Sequence, residues 1–413
     1  MCDFVGGQVI VTRPRGDGPA ARVALAALGA VSERYGAGPL QSLDNLMEQP
    51  PPSVREREGH GRKSEHKSEF FRPPFHVELA KVRAGEELSF VDELRGIYLD
   101  FALSDTKAIA DLVNNRNQQL HTSPNWRLHL AAGTPEAVSD PFTISSNHSA
   151  YLKQIGLDRA KPNEAAGVTV AVLDNGFDNK FWPAAPTPSP VAASQDLISG
   201  DASTSGHGTL VAALIASSAP GANVVPIRMA GKESTEWDAL HALARAVQLG
   251  AQMVTFAYRQ ILAVDNPCKR CGLVRTAARS EVFAKMVDWA SDGGSRAILA
   301  AAGNDGIGSV ARPAAYRGAI PIAALASSGN ALWSLSNWDG AAKLDVLALP
   351  GEDVASGTSG SPYSGTSFAT AYAAALYAVA MGRNSIFDAS IISKVLTASS
   401  SGTVSNATIP VLN

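Results

Sequence analysis

Cysteine is scarce. Three cysteines in 413 residues cannot make a disulfide framework for a chain of this size. Cys268 and Cys271 form a single C-x-x-C in NPCKRCG, which is half of a zinc site with no second pair to complete it. A local loop disulfide or two free thiols is the expectation there. Long apolar runs are also missing, and none approaches the roughly 20 residues a membrane-spanning helix needs. Charge of one sign is not in excess. The net charge is -3, so neither nucleic acid nor an anionic membrane is expected as a partner. The opening MCDFVGGQVIVTRPRG lacks the basic-then-apolar order of a secretory signal. The apolar run Arg22 to Val31 would sit behind an overlong leader. Cytoplasmic residence is therefore the default expectation, with secretion left open.

What is present is a chain long enough for one large domain and a smaller one, 45% hydrophobic and 18% charged, as a packed globule requires. QVIVTR (8–13) reads as a strand, GDGPAARVALAALG as a helix closing at Gly29, and AVSERYG as a returning strand. Residues 1–46 thus form a small α+β segment. From 47 to 74 the composition turns charged and proline-rich, with too few apolar residues for a core, and reads as a linker. Order returns over 75–149, an α+β region and connector. HVELAKV, GIYLDFAL and WRLHLAA read as strands, and DTKAIADLVNNRN as a helix capped by its aspartate. The main domain is expected over 150–400, with a C-terminal tail at 401–413.

Beyond about residue 165, short apolar runs alternate with helix-length segments: GVTVAVLD, GTLVAALIASS, ANVVPIRMA, STEWDALHALARAVQLG, AQMVTFAY, RSEVFAKMVDWASDGG and RAILAAAG. Strand-helix alternation with fully apolar strands implies a mostly parallel sheet covered by helices on both faces, an α/β fold. Chemistry in such sheets gathers at the carboxyl ends of the strands. Asp174, His207 and Asn304 all stand at apolar-to-glycine junctions, and so does Ser367 at the start of the small-residue helix in YSGTSFATAYAAALYAV. Taken singly, each has a structural explanation as a turn former, helix-start donor, left-handed cap or N-cap. Four together are harder to explain that way.

The blocks VAVLDNGFD, SGHGTLVAALIA, AAAGNDG and SGTSFATAYAA, in the order Asp, His, Asn, Ser, resemble those of the subtilisin-like serine peptidases, the subtilases. The resemblance spans about residues 150 to 400. It implies a serine endopeptidase working through an acyl-enzyme, with Ser367 as nucleophile, His207 as general base and Asp174 orienting the imidazole. The Asn304 amide and the Ser367 backbone N–H would be oxyanion donors. A hydroxyl is a poor nucleophile until a base lies within hydrogen-bond reach, and imidazole has the intrinsic pKa for that task. Gly365 is expected to permit a tight turn.

Departures from the family pattern are as informative. Ala371 and Tyr372 stand for a usual proline and histidine, and Leu210 and Ala213 for histidine and glycine, all read as packing changes. Where subtilases usually carry Ser-Leu-Gly after the strand, this chain has Ala257-Tyr258-Arg259. Together with Ala302 and Gly303, these residues are expected to bind substrate, and Tyr and Arg there would narrow the cleft or favour an acidic substrate side chain. The insertion from Gln260 to Thr276 follows. The expected partner is a protein or peptide substrate, with the N-terminal region as an intramolecular inhibitor or chaperone. No cofactor is required. The family's calcium binding raises Asp178, Asp196 and Asp201 as candidates without an assignable loop. The alternative is a catalytically silent relative used for protein binding.

Overall fold

The computed structural model describes residues 4–48, 72–114, 119–130, 138, 140–182, 191–192, 195–197, 206–229, 234–259, 280–386, 388–389, 392, 397–404 and 407–412. Most of the 47–74 linker, all of the insertion 260–276 and both Cys268 and Cys271 lie outside the described residues. The chain divides into two compact units, one of residues 1–127, 235–244 and 262–286, the other of 128–234, 245–261 and 287–413.

The first unit is α+β. Its elements are β1 (Phe4–Pro14), α1 (Pro19–Arg34), β2 (Gln41–Ser42), α2 (Leu43–Met47), β3 (Phe75–Lys81), α3 (Glu87–Ser104), α4 (Thr106–Asn114) and the start of β4 (His121–Leu130). The sheet runs β4-β1-β3-β2, with each neighbouring pair antiparallel. Val9, Val11 and Ala80 of the sheet pack on Ala24, Leu28 and Val31 of α1 and on Phe90 and Leu94 of α3.

Two expectations fail here. The helix does not close at Gly29, and AVSERYG is not a strand: α1 continues to Arg34. Ala27, Leu28 and Val31 keep helical spacing across the glycine and are all buried, while a side chain at Gly29 would meet nothing within 4 Å. A mid-helix glycine costs only about 0.5–1 kcal/mol relative to alanine, less than burying Val31 returns. GIYLDFAL is likewise the second half of α3. The buried positions Phe90, Val91 and Leu94 continue at helical spacing into the partly buried Ile97 and Tyr98. The alternating Leu99, Phe101 and Leu103 that suggested a strand are exposed. The aspartate cap before α4 does form: Asp105 Oδ1 accepts from the backbone N–H groups of Lys107 (2.9 Å) and Ala108 (3.2 Å).

The second unit holds β5 (Phe142–Ile144), α5 (His148–Gln154), β6 (Thr169–Asp174), β7 (Gln195–Asp196), α6 (His207–Ser218) and β8 (Asn223–Arg228). After β9 (Ser234–Thr235) and α7 (Glu236–Gln248) come β10 (Met253–Phe256), β11 (Tyr258–Arg259), α8 (Glu281–Ser291), β12 (Ala297–Ala301), β13 (Ala319–Leu325) and β14 (Leu347–Pro350), of which α7 up to Ala244 and α8 up to Met286 belong to the first unit. β15 (Ala355–Gly357), β16 (Pro362–Tyr363), α9 (Thr366–Asn384), β17 (Thr397–Val404) and β18 (Ala407–Val411) complete the order.

Its main sheet is ordered β17-β18-β14-β13-β12-β10-β6-β8-β7, and every adjacent pair is parallel except β17-β18. The chain steps from β6 to β8 in one direction and then back past β6 to β10. Right-handed crossovers therefore put the two connections on opposite faces. That reversal opens a crevice at the carboxyl ends of the central strands. α9 and α6 pack into the main apolar cluster with residues such as Val172, Leu299, Ile322 and Leu349. All residues from Thr366 to Met381 are buried, which explains the run of alanines: small side chains let a helix approach a sheet closely. The stretch 401–413, expected as a tail, holds the end of β17 and all of β18. No helix among the described residues is long and apolar enough to cross a membrane.

Candidate active site

Asp174 is the last residue of β6, His207 the first of α6, and Ser367 the second of α9. Widely spaced in sequence, they meet in one line. His207 Nδ1 lies 2.9 Å from Asp174 Oδ2 and 3.1 Å from Oδ1. Its Nε2 lies 3.0 Å from Ser367 Oγ. All three residues have 0% exposure. With the carboxylate on Nδ1, the proton resides there and Nε2 presents its lone pair to the hydroxyl. His207 is itself the first residue of its helix.

Backbone constraints hold this line. A Cβ at Gly208 would sit 2.5 Å from the Gly176 carbonyl oxygen, 2.7 Å from Asn175 Oδ1 and 3.0 Å from Asp174 Cβ. Only glycine lets the helix start approach the strand end so closely. The vacated space is bridged by a hydrogen bond, Gly208 N–H to Asn175 Oδ1 at 2.8 Å. Gly365 is a different case. Its φ of 166° with ψ of 156° is extended backbone.

Asn304 follows β12 through Ala302 and Gly303. Its Oδ1 accepts from the Thr366 N–H (3.0 Å) and the Thr366 hydroxyl (2.8 Å), which fixes the orientation of the amide. Its Nδ2 is buried with no hydrogen-bond partner among the described residues. Gly303 has a φ of +111°, and a Cβ there would be 2.4 Å from Asn337 Nδ2. The backbone groups of the two preceding residues are all engaged internally. Ala302 N–H donates to Ile322 O and Ala302 O accepts from Ala311 N–H. Gly303 N–H donates to Thr366 Oγ1 and Gly303 O accepts from Asn337 N–H. Ala302 and Gly303 are thus wall, with no unused backbone donor.

Ala257 and Tyr258 are buried after β10. Burial and the nearby Asp174 carboxylate push the Tyr258 phenol well above its ordinary pKa, so it stays neutral. β11 pairs antiparallel with the end of β4, Tyr258 opposite Leu130 and Arg259 opposite His129. Arg259 Nη2 donates to Asp305 Oδ1 at 2.9 Å. Asn337 holds Asp305 in turn, its Nδ2 donating to Oδ2 at 3.0 Å and its Oδ1 accepting from the Asp305 N–H at 2.8 Å.

Four supporting residues were not singled out from sequence: Asn175, Thr366, Asp305 and Asn337. The first three are immediate neighbours of singled-out positions, and that adjacency was the available signal. Asn337 sits in LSNWDG, which carries no recognisable pattern. For calcium, Asp178 pairs with Lys180 at 3.0 Å, and Asp201 and the Asp196 side chain lie outside the described residues. No group of three or more His, Cys, Asp or Glu side chains comes together among the described residues.

A carboxylate, an imidazole and a hydroxyl in one hydrogen-bonded line, with an amide nitrogen that has no partner among the described residues, at the carboxyl edge of a parallel sheet, are the parts of serine-dependent acyl transfer. Comparison with known proteins gives the family. Residues 165–408, more than half of the chain, match the subtilase family model. A thermophilic serine proteinase from Bacillus sp. (strain AK1) is 25% identical over 315 residues, covering 71% of this chain and 72% of that protein. The solved nisin leader peptidase NisP from Lactococcus lactis superposes with a TM-score of 0.50 at 15% identity, covering 64% of this chain and 91% of that one. The MycP3 protease of the type VII (ESX-3) secretion system gives 0.49 at 20% identity, covering 67% and 91%. The chain belongs to the subtilase family and is a serine-type endopeptidase, so its substrates are proteins or peptides.

Proposed function

We propose that peptide-bond hydrolysis runs through Ser367, His207 and Asp174. Ser367 Oγ attacks the scissile carbonyl carbon while its proton passes to His207 Nε2. The imidazolium, stabilised by Asp174, returns that proton to the leaving amine as the C–N bond breaks. Water then repeats the sequence on the Ser367 ester and releases the acid. The tetrahedral oxyanion is received by Asn304 Nδ2 and by the Ser367 backbone N–H, which lies in the first turn of α9, where N–H groups lack intrahelical partners and the helix dipole is favourable. The observation carrying this reading is the unbroken line from Asp174 through His207 to Ser367. The buried Asn304 Nδ2, without a partner among the described residues, supports it. Wild type is expected to hydrolyse unfolded protein substrates and Ser367→Ala to leave them intact. Equal turnover by both would refute the assignment.

The N-terminal region is read as an intramolecular inhibitor. In support, the last residues of β4 pair along β11 as an extended antiparallel strand, the geometry in which a peptide adds to a sheet edge. Ala257, Tyr258, Arg259, Ala302 and Gly303 are read as lining the path of the substrate's acyl side. Self-cleavage between about residues 130 and 165, seen as a mass loss in wild type and not in Ser367→Ala, is expected to raise activity. Full activity from an uncut chain would refute the inhibitory role.

A further inference from the structure

We propose that Arg259 makes this peptidase select substrates carrying an acidic side chain on the acyl side of the scissile bond. The inference rests on the peptidase reading above and adds the substrate class. A guanidinium has five N–H donors, one on Nε and two on each Nη. Arg259 commits Nη2 to Asp305, while Nε and Nη1 are buried without a hydrogen-bond partner among the described residues. Its side chain is only 11% exposed, against 28% for Asp305. A buried cation with most of its donors unmet is costly to keep unless something else meets them.

The position says what meets them. Asp305 follows Asn304 directly, and its ion pair ties the guanidinium to the residue next to the amide proposed to receive the oxyanion. Tyr258, the residue before Arg259, lies close enough to Asp174 for that carboxylate to influence its phenol. Arg259 is therefore tied, through Asp305, to the residue that follows Asn304. Its backbone is opposite His129 in an antiparallel pair, and residues opposite one another in such a pair project to the same face. A substrate strand taking the place of His129 and Leu130 along β11 thus brings one side chain alongside Arg259. A carboxylate there accepts from the unmet N–H groups and balances the charge that Asp305 only shares. Lysine or arginine at that substrate position would meet a like charge, and an apolar residue would leave the donors unmet.

The test is cleavage-site mapping by mass spectrometry on a proteome-derived peptide library, with fluorophosphonate labelling run in parallel. Wild type is expected to show about 10-fold or greater enrichment of Asp and Glu at one position before the scissile bond. Arg259→Met should lose that enrichment, and Arg259→Glu should replace it with Lys and Arg at the same position, an outcome a misfolded variant could not produce. Wild type that takes the label but shows no acid enrichment overturns this proposal alone. Enrichment that persists in both variants does the same. Wild type that neither takes the label nor cuts overturns the peptidase reading and this proposal with it.

Discussion

At the scale of single residues, the site is specified by what each polar atom has left to bond. Asn304 gives its Oδ1 to Thr366 twice and keeps Nδ2 in reserve. Asn304→Ala is expected to lower kcat by about 10²–10³, a magnitude carried over from this same family and not obtained from these distances. KM should change little, because the bond forms in the transition state. Asp174→Asn should cost about 10⁴ in kcat, since an amide no longer fixes the proton on Nδ1. Steady-state kinetics on one peptide checks both. The positions of Asp174, His207, Asn304 and Ser367 were legible because each interrupts an apolar run next to a glycine. Asn337 was not legible. It serves by supporting the backbone of Gly303 and Asp305, and a hydrogen bond across 30-odd residues leaves no local pattern.

At the scale of elements, α9 and α7 make opposite demands. α9 is buried along nearly its whole length, so Ala374→Leu forces a large side chain into a filled core. It should destabilise the protein by about 1–3 kcal/mol, read as a lowered urea midpoint. α7 begins with Glu236, whose carboxyl is completely buried and bonded to the Ser280 hydroxyl. Burial pushes its pKa up from 4.5 to about 8, against the opposing effect of the Ser280 bond. Between those values the folded chain holds a proton that the unfolded chain has released, so stability falls as pH rises through this window. Glu236→Gln cannot ionise. Its melting temperature relative to wild type should rise steadily from pH 4.5 to pH 8, and a difference independent of pH would contradict the account. Parallel strands and their helices were legible here because both faces of the sheet are apolar. The elements misassigned were in the smaller unit. There, α1 crosses a glycine on an exposed face, and α3 carries exposed leucines that imitate strand alternation.

At the scale of the whole molecule, one sheet gathers chemistry from segments scattered over nearly 200 residues. The reversal between β8 and β10 marks the crevice position, and β6, α6, the turn after β12 and α9 each deliver one part to it. That architecture could be inferred from alternation alone. The pairing of β4 with β11 could not, because neither strand's sequence names its partner. If the end of β4 occupies the substrate edge, processing should both shorten the chain and speed its reaction with active-site probes. The most direct measurement is to treat the protein, before and after processing, with a fluorophosphonate and locate the adduct by peptide mass spectrometry. The account predicts a single adduct on the peptide bearing Ser367, faster after processing, and none in Ser367→Ala or at a normal rate in His207→Ala. An adduct on another serine, or none in any form of the wild-type chain, would contradict it.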